Sequence, residues 1–239
     1  RTNFPIKLDT ENLAILVAAF MSDGNNQQNH PHYANLGYLG NKIIKAASKA
    51  IPNIPYEIRN GKVRFHSLMS NVLFKVGVPK GDKTIINPKT PTEILHNSKL
   101  KQLYLTQVFD DEGHAPTRAS RKIVLGRSVA VKNISKKFRS SLVYKKKSYF
   151  NSLPNAIKKI VNSQLPNLLL AEFALINEFG IQCALRCRGV TKYLDRVSAD
   201  WVIEVYGKKN INKFNQRIGF SDPIKVKISS DYVGKIKLG

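Results

Sequence analysis

Two short stretches with the same pattern constrain the fold of this chain more than any other feature of its sequence. Residues 16–24 read LVAAFMSDG, and residues 105–113 read LTQVFDDEG. Each is an apolar run of about two to three helical turns that ends in a carboxylate followed by a glycine. The pattern predicts two helices, each closed by its glycine, Gly24 or Gly113, as a left-handed cap.

The carboxylates stand at the end of a helix where an acid is unfavourable. A helix C-terminus carries unpaired carbonyl groups and partial negative charge, yet Asp23 closes the first stretch and Asp110, Asp111 and Glu112 close the second. A divalent cation such as Mg²⁺ would remove this penalty, because it binds carboxylate and carbonyl oxygens together. The alternative is two ordinary core helices with solvated, acid-rich ends. Because the pattern occurs twice, we favour a metal site over that alternative.

The charge of the chain indicates a polyanionic partner. Its 239 residues include 39 Lys and Arg against 16 Asp and Glu, which gives a formal net charge of +23. Such a basic protein is typical of nucleic-acid binding, although charge that serves solubility alone is the alternative. No apolar run reaches the roughly 18 residues of a membrane span, and Cys183 and Cys187 form neither a zinc set nor a disulfide framework. We expect an intracellular, cytoplasmic protein with access to the nucleoid and no membrane partner.

The chain divides into two halves with similar patterns. Residues 1–78 form the predicted N-terminal half, residues 79–98 a linker rich in Pro, Gly and Lys, and residues 99–239 the C-terminal half. The first half is predicted to contain a strand over 33–40, a helix over 41–51, a β-hairpin over 56–67 and a helix over 71–76. The second is predicted to contain one or two strands over 118–133, a basic insertion over 136–159, a core helix over 165–180 and paired strands over 182–188 and 200–207. Residues 212–222 resemble residues 70–79, which supports an internal duplication.

The two stretches resemble the LAGLIDADG motif of homing endonucleases. In that motif the eighth position is the metal-binding acid and the ninth is glycine, which are Asp23 and Gly24 in the first stretch and Glu112 and Gly113 in the second. Residues 77–89 (GVPKGDKTIINPK) are similar to the linker of archaeal members that carry two motifs. The resemblance covers nearly the whole chain.

The resemblance implies an α+β fold of two pseudo-symmetric α-β-β-α-β-β-α halves. Each half would carry a curved, four-stranded antiparallel sheet, and the two sheets would form a DNA-binding saddle. The motif helices would pack against each other at its centre. Gln107 stands at the third motif position, where the family usually has a small residue.

The implied activity is that of a monomeric homing endonuclease encoded by a mobile intron. It would hydrolyse phosphodiester bonds in double-stranded DNA at a long, pseudo-palindromic target and leave 3′ overhangs. Asp23 and Glu112, with Gly24 and Gly113 beside them, would form the metal site. Mg²⁺ would be the cofactor, and Mn²⁺ would substitute for it.

Basic residues are expected to complete the site and to bind DNA. By the resemblance, a catalytic lysine lies where a strand runs into the following helix, and Lys132 and Lys42 match this place; a phosphate-binding or solvated lysine is the alternative for both. In the hairpin, alternation points Val63 and Phe65 to the core and the basic side chains outward. Arg pairs well with guanine, and Gln with adenine, in the major groove. The candidates for DNA contact are Arg59, Lys62, Arg64, His66, Arg121, Arg127, Gln182, Arg186 and Arg188.

Two other functions fit the same composition. The first is an RNA-binding intron maturase on the same fold, because the bases and aromatics interleaved over residues 136–150 suit stacking of single-stranded nucleic acid. The second is a non-enzymatic basic protein, such as a ribosome- or chromatin-associated module, which would leave the two matched helix ends unexplained. Retention of both acids favours cleavage, since a pure RNA binder has no need of them. Intron RNA is a second candidate partner.

Overall fold

The structure is a computed structural model that describes residues 9–26, 30–91, 95–194 and 196–235. Its N-terminal part runs α1 (Thr10–Met21), β1 (Gly24–Asn25), β2 (His32–Tyr33), α2 (Gly37–Ala50), β3 (Tyr56–Arg59), β4 (Lys62–Phe65) and α3 (Ser67–Lys75). A single-turn helix, α4 (Lys83–Ile86), lies within the predicted linker, of which residues 92–94 are outside the described residues. The C-terminal part runs α5 (Ser98–Glu112), β5 (Gly113–His114), β6 (Lys122–Ala130), α6 (Lys136–Ser141), β7 (Lys147–Tyr149), α7 (Asn155–Asn162), α8 (Asn167–Glu178), β8 (Ala184–Tyr193), β9 (Arg196–Tyr206), α9 (Lys208–Arg217) and α10 (Pro223–Lys235).

The strands form two antiparallel sheets, so the fold is α+β. The first sheet has four strands in the order β1-β2-β4-β3, and the second has five in the order β5-β6-β9-β8-β7. The expectation of four strands is therefore wrong for the second sheet. The extra strand β7 comes from the predicted insertion and pairs with β8, with Lys147 opposite Thr191. Without β7, the strand order of the second sheet follows that of the first.

The two predicted motif helices are α1 and α5, and they pack against each other. Helix α1 is apolar on all sides, and its residues from Leu16 to Met21 are completely buried, as expected of a helix enclosed by other elements. Phe20 in α1 packs against Phe65 of the first sheet, with ring centroids 6.2 Å apart. Phe109, at the same motif position in α5, packs edge-on against Phe214 of α9 at 4.7 Å. The paired helices thus form the centre of the hydrophobic core.

The hairpin of the first half is confirmed. Asn60 and Gly61 both have positive φ, 50° and 71°, as a two-residue type I′ turn requires. Val63 and Phe65 are buried, while Lys62 points into solvent. The alternation of the sequence therefore assigned the two faces of this sheet correctly.

The strand predicted over residues 33–40 is wrong for most of its length. Extended pairing covers only His32–Tyr33, and α2 already begins at Gly37. The reason lies in the spacing of its small and apolar residues: Gly40, Ile43, Ala47 and Ala50 recur every three or four positions and are all buried. That spacing lines one face of a helix.

The second half follows its predicted pattern in most places. The single strand β6 occupies the region predicted to hold one or two strands, and the core helix is α8. Strands β8 and β9 pair as predicted. The side chains of Cys183, Leu185 and Cys187 pack against the core, whereas Arg186 and Arg188 are exposed.

The two motif glycines are not left-handed caps. Gly113 has φ −81° and ψ 147°, an extended conformation, and Gly24 likewise enters a strand and has no positive φ. Glycine is required here because the chain passes close to the preceding helical turn. An added Cβ would lie 2.7 Å from Cα of Phe20 at position 24, and 2.6 Å from the carbonyl oxygen of Phe109 at position 113.

Replacement of Gly113 by Ala is expected to lower the free energy of unfolding by about 1–3 kcal/mol, because the backbone that a Cβ would meet has to move. Chemical denaturation of the purified variant measures this loss. Gly126→Ala is the matched control, since its Cβ would meet its nearest neighbour at an ordinary 3.8 Å. Equal stability of the two variants would contradict the close-approach explanation.

Candidate active site

The predicted acids lie at the C-terminal ends of α1 and α5, here called the paired helix ends. Asp23 lies two residues after the end of α1, and Glu112 is the last residue of α5. Asp23 accepts a hydrogen bond at Oδ2 from the side-chain amide of Asn35. Glu112 accepts one at Oε1 from Nη1 of Arg127, at 3.4 Å, and its side chain is 32% exposed. Within the described residues, no hydrogen bond engages the second oxygen of either acid, so each retains an oxygen for a ligand.

A partly buried lysine closes each of the paired helix ends, and neither lysine is among the residues predicted for the site. Nζ of Lys83 donates to the carbonyl oxygens of Phe20, Ser22 and Gly24, at 3.1 Å and 2.8 Å for the first and last. The carbonyl groups of Phe20 and Ser22 lie at the end of α1, where such groups have no partner within the helix and carry its partial negative charge. The ammonium of Lys83 satisfies both requirements at the end of α1.

Lys225 does the same at the end of α5. Its Nζ donates to the carbonyl oxygens of Phe109, Asp110 and Gly113, at 3.0 Å and 2.7 Å for the first and last. Phe109 and Gly113 occupy the motif positions that Phe20 and Gly24 occupy in α1. The carbonyl groups of both motif glycines are therefore hydrogen-bonded to lysines.

A shared local pattern could have located these two lysines. Each stands six residues after a glycine of positive φ, Lys83 after Gly77 and Lys225 after Gly219. A preceding aspartate, Asp82 or Asp222, caps the helix on which each lysine lies, since it accepts from a backbone N–H two residues on at 2.9 Å. Comparison of the segments GVPKGDK and GFSDPIK between the halves therefore carries the signal.

Burial places both lysines in an unusual electrostatic environment. Burial, together with the nearby charge of Arg127, lowers the pKa of Lys83 to about 8. The carboxylates of Glu112 and Asp23 both act on the pKa of Lys83 in the opposite sense, and Lys83 lines one cavity with Glu112 and another with Asp23. Burial also lowers the pKa of Lys225.

Asp111 is a third acid at the paired helix ends, and it is largely buried. Its Oδ1 accepts hydrogen bonds from the hydroxyl group of Tyr33 and from Nε2 of Gln107, the latter at 3.0 Å. Its Oδ2 is buried and has no hydrogen-bond partner in the described part of the chain. Burial raises the pKa of Asp111 to about 7, and the charge of Asp23 contributes to the rise. Gln107, which stands where the motif usually has a small residue, therefore hydrogen-bonds to the carboxylate of Asp111.

Lys42, proposed from the resemblance as a catalytic residue, pairs with a different acid. Its Nζ lies 3.0 Å from Oδ2 of Asp110 and 2.7 Å from Oγ of Ser221. The Asp110 side chain is completely buried and also accepts from the backbone N–H of Ser221 and of Asp222. This ion pair joins α2 of the first half to α5 and the loop before α10. Lys42 contacts neither Asp23 nor Glu112 in the structure.

Replacement of Lys42 by Met is expected to lower the free energy of unfolding by about 3 kcal/mol, because it leaves the buried carboxylate of Asp110 without its cation. Urea denaturation measures the loss, and Lys45→Met, an exposed lysine of the same helix, is the control. Addition of Asp110→Asn to Lys42→Met should recover part of the stability. An unchanged unfolding midpoint for Lys42→Met would show that the ion pair contributes nothing.

Lys132 lies away from the acids. It is exposed, and its backbone exchanges hydrogen bonds with the side chain of Gln164, at 2.7 Å and 3.1 Å. It lies five residues beyond Arg127, the residue of β6 that contacts Glu112, which corresponds to about 16 Å of extended chain. The structure therefore does not bring Lys132 to the paired helix ends.

Arg127, predicted as a DNA contact, is instead buried at the site. The alternation of β6 places it on the inward face with Ile123 and Leu125, and its side chain is only 8% exposed. It forms an ion pair with Glu172 of α8 at 2.7 Å and donates to Glu112 at 3.4 Å. It also donates to the carbonyl oxygen of Met21 at 3.0 Å and to Oγ of Ser22 at 3.1 Å, and so connects α1, α5 and α8.

The other DNA-contact candidates lie on the surface of the two sheets or beside them. In the antiparallel register of β3 and β4, Arg59 lies opposite Lys62 and Glu57 lies opposite Arg64. Both pairs lie on the face of the first sheet that points away from the core. Arg64 is partly buried and lies 3.4 Å from Glu57. The exposed candidates are Arg59, Lys62, His66, Arg121, Gln182, Arg186 and Arg188.

Two open cavities reach the paired helix ends. One of about 450 Å³ begins at Glu112 and extends over the outer face of the second sheet, with Arg188 in its wall. Another of about 580 Å³ lies beside Asp23, with Lys62 in its wall. Lys83 lines both cavities. Each acid is therefore accessible to a ligand from a space that also carries basic side chains.

The oxygen atoms at the paired helix ends suit Mg²⁺. Among the described residues, no group of three or more His, Cys, Asp or Glu forms a metal-binding cluster. Mg²⁺ is usually held by one or two carboxylates, with waters and substrate phosphates as its other ligands. Asp23 and Glu112 are two such carboxylates, and each lines a cavity that a ligand can enter. The residues present therefore fit a Mg²⁺ site.

No protein-family model matches this chain, and its comparison with curated proteins gives no significant match. The described residues contain no helix that is long and apolar enough to cross a membrane. Function is therefore inferred from the paired helix ends and from the charged surfaces beside them.

Proposed function

We propose that this protein is a divalent-metal-dependent endonuclease that cuts double-stranded DNA at a long, specific site. One observation carries the proposal: two helices with matching acid–glycine ends pack against each other, and a partly buried lysine closes each end. An ordinary core helix has no need of an acid at its negative end. Bound Mg²⁺ would explain why both helices carry an acid at an end where the acid lowers the stability of the helix.

Charge and surface shape favour duplex DNA as the substrate. The net charge of +23 supplies the phosphate attraction that dominates DNA affinity. The two sheets each expose basic side chains, and we propose that they form a saddle that places one sheet in the major groove on each side of the acids. Two similar halves would then read two similar half-sites, which gives a pseudo-palindromic target. The protein would act as a monomer, because one chain carries both acid–glycine helix ends, and it would be encoded by a mobile intron.

Different residues of the proposed site would bind the metal, orient the acids and neutralise the helix ends. Asp23 and Glu112 would hold Mg²⁺, or Mn²⁺ in its place, and the bound ion supplies activation of water and stabilisation of charge on the phosphate. Asn35 and Arg127 orient the two acids through hydrogen bonds. Lys83 and Lys225 neutralise the negative helix ends and so lower the repulsion that an incoming phosphate would meet.

A cleavage selection on a randomised duplex library in Mg²⁺ tests the proposal. The expected result is recovery of one long, roughly palindromic site cut with 3′ overhangs. Glu112→Gln run in parallel should yield no cut product. Binding without cutting by the parent protein, in Mg²⁺ and in Mn²⁺ at low salt, would overturn the catalytic proposal.

One observation favours the RNA-binding alternative. The rings of Tyr144 and Tyr193 stack at 5.8 Å on the surface of the second half, and Nζ of Lys145 lies 5.2 Å and 5.4 Å from their centroids. Exposed aromatics with cations suit the stacking of unpaired bases. Structured intron RNA is therefore the substrate to test if the parent protein binds DNA and does not cut it.

A further inference from the structure

We infer that Glu172 is a positioning residue: it holds the charge of Arg127, so that Glu112 remains available for the metal. The inference deepens the proposed function and rests on it. Glu172 lies on α8, far from the motif in sequence, and its side chain is completely buried. The LAGLIDADG-like pattern of the sequence does not include it.

The geometry shows that Arg127 is bound mainly by Glu172. Nη2 lies 2.7 Å from Oε1 and Nε lies 3.3 Å from Oε2 of Glu172, which is a two-point contact between guanidinium and carboxylate. Nη1 reaches Glu112 only at 3.4 Å, close to the limit of a hydrogen bond. Arg127 thus orients Glu112 without a close ion pair.

The charges of Arg127, Glu172 and Glu112 explain why the strong pairing of Arg127 with Glu172 matters. Arg127 carries one positive charge, and Glu172 with Glu112 carries two negative charges, so the group as a whole has one negative charge. Because Glu172 satisfies the guanidinium, the remaining negative charge stays on Glu112, which is the more exposed of the two acids. Without Glu172, Arg127 would pair with Glu112 and compete directly with Mg²⁺.

The first half holds its acid differently. Gly24 pairs with Tyr33, and Gly113 pairs with Leu125, so the residue two places further along the chain, just beyond β2 in the first half and within β6 in the second, occupies the equivalent position. That residue is Asn35 in the first half and Arg127 in the second, and each donates to the acid of its own half. A neutral amide needs no counter-charge, whereas a buried cation does. The two acids are therefore not equivalent, and only Glu112 depends on a distant carboxylate.

The substitution Glu172→Gln tests the inference on the target duplex found by selection, with each strand labelled separately. We expect one strand to be cut about 10- to 100-fold more slowly than in the parent protein and the other to be nearly unaffected, as is typical when support of a metal ligand is lost. The ratio of the two strand rates does not depend on the fraction of folded protein. A merely destabilised protein would lose both rates equally.

Metal binding supplies a readout that does not depend on cleavage. Mn²⁺ is titrated onto the protein bound to its duplex at low temperature, and the free ion is followed by electron paramagnetic resonance. We expect Glu172→Gln to weaken one Mn²⁺ site about 10- to 100-fold. Glu178→Gln, on the same helix, removes a surface ion pair with Lys101 and should change neither quantity.

The double variant Glu172→Gln with Arg127→Gln tests whether Glu172→Gln acts through the unpaired charge of Arg127 or through damaged packing. It removes both buried charges and leaves the negative charge of Glu112, so Mn²⁺ affinity and the strand ratio should return toward the parental values. If Glu172→Gln acts through damaged packing, the Mn²⁺ affinity should remain weak and the strand ratio should remain altered. That result would overturn the inference. Equal slowing of both strands by Glu172→Gln, with unchanged Mn²⁺ affinity, would also overturn it. Failure of the parent protein to cut any duplex would instead refute the proposed function.

Discussion

Replacement of Asp23 by Asn is expected to abolish DNA cleavage and to leave DNA binding intact. Asn has nearly the same shape as Asp, and its side-chain oxygen can still accept the hydrogen bond from Asn35. It lacks the negative charge with which a carboxylate attracts Mg²⁺. Loss of metal-derived charge stabilisation, worth several kcal/mol, corresponds to a decrease of about 10³-fold in the cleavage rate.

The measurement compares single-turnover cleavage and equilibrium binding on the same duplex. Glu112→Gln should behave like Asp23→Asn, since both acids lie at the paired helix ends. Glu11→Gln is the matched control, because Glu11 is exposed at the opposite end of α1. Parental cleavage by either site variant at saturating Mg²⁺ would refute the assignment of that acid as a metal ligand. Weaker DNA binding with unchanged cleavage of the bound duplex would assign it to recognition instead.

The parts of the fold that depend on local chemistry could be predicted from the sequence. The turn at Asn60 and Gly61 follows from their tolerance of positive φ, and the burial of Val63 and Phe65 follows from alternation along the strand. Both motif helices follow from their apolar runs. The motif glycines differ from the prediction for a local reason: a glycine after a helix usually marks a left-handed cap, whereas here close packing against Phe20 and Phe109 requires glycine.

The parts of the site that depend on distant contacts could not be predicted in the same way. Alternation along β6 places Arg127 on the inward face, but a buried arginine is acceptable only beside Glu172, which is 45 residues away. Lys83 lies in a segment that resembles a linker, and only comparison with the segment of Lys225 in the other half indicates that it closes α1. The resemblance places Lys42 at the site because it follows a predicted strand, whereas its partner is Asp110, since α2 reaches the second half.

Asp111→Asn is expected to raise the free energy of unfolding by up to about 4 kcal/mol at pH 8 and to have little effect at pH 4. Burial raises the pKa of Asp111 from its ordinary value of 3.8 to about 7. At pH 4 and below, the folded chain keeps the proton and ionisation has little cost. As the pH rises from 4 to 7, the unfolded chain releases the proton and the folded chain retains it, so the parent protein loses stability over this window. Each pKa unit corresponds to about 1.4 kcal/mol, which gives the expected size.

The test follows unfolding in urea at several pH values for the parent and Asp111→Asn, in a chelating buffer that keeps metal ions from the neighbouring acids. Asn retains an oxygen that can accept from Tyr33 and Gln107, so the variant differs mainly by its lack of charge. Other titrating groups are common to both proteins and cancel in the difference between them. The difference should grow between pH 4 and 7 and then become constant. A difference that does not change with pH would show that Asp111 is solvated, and the site would then present three ionised acids rather than two at neutral pH.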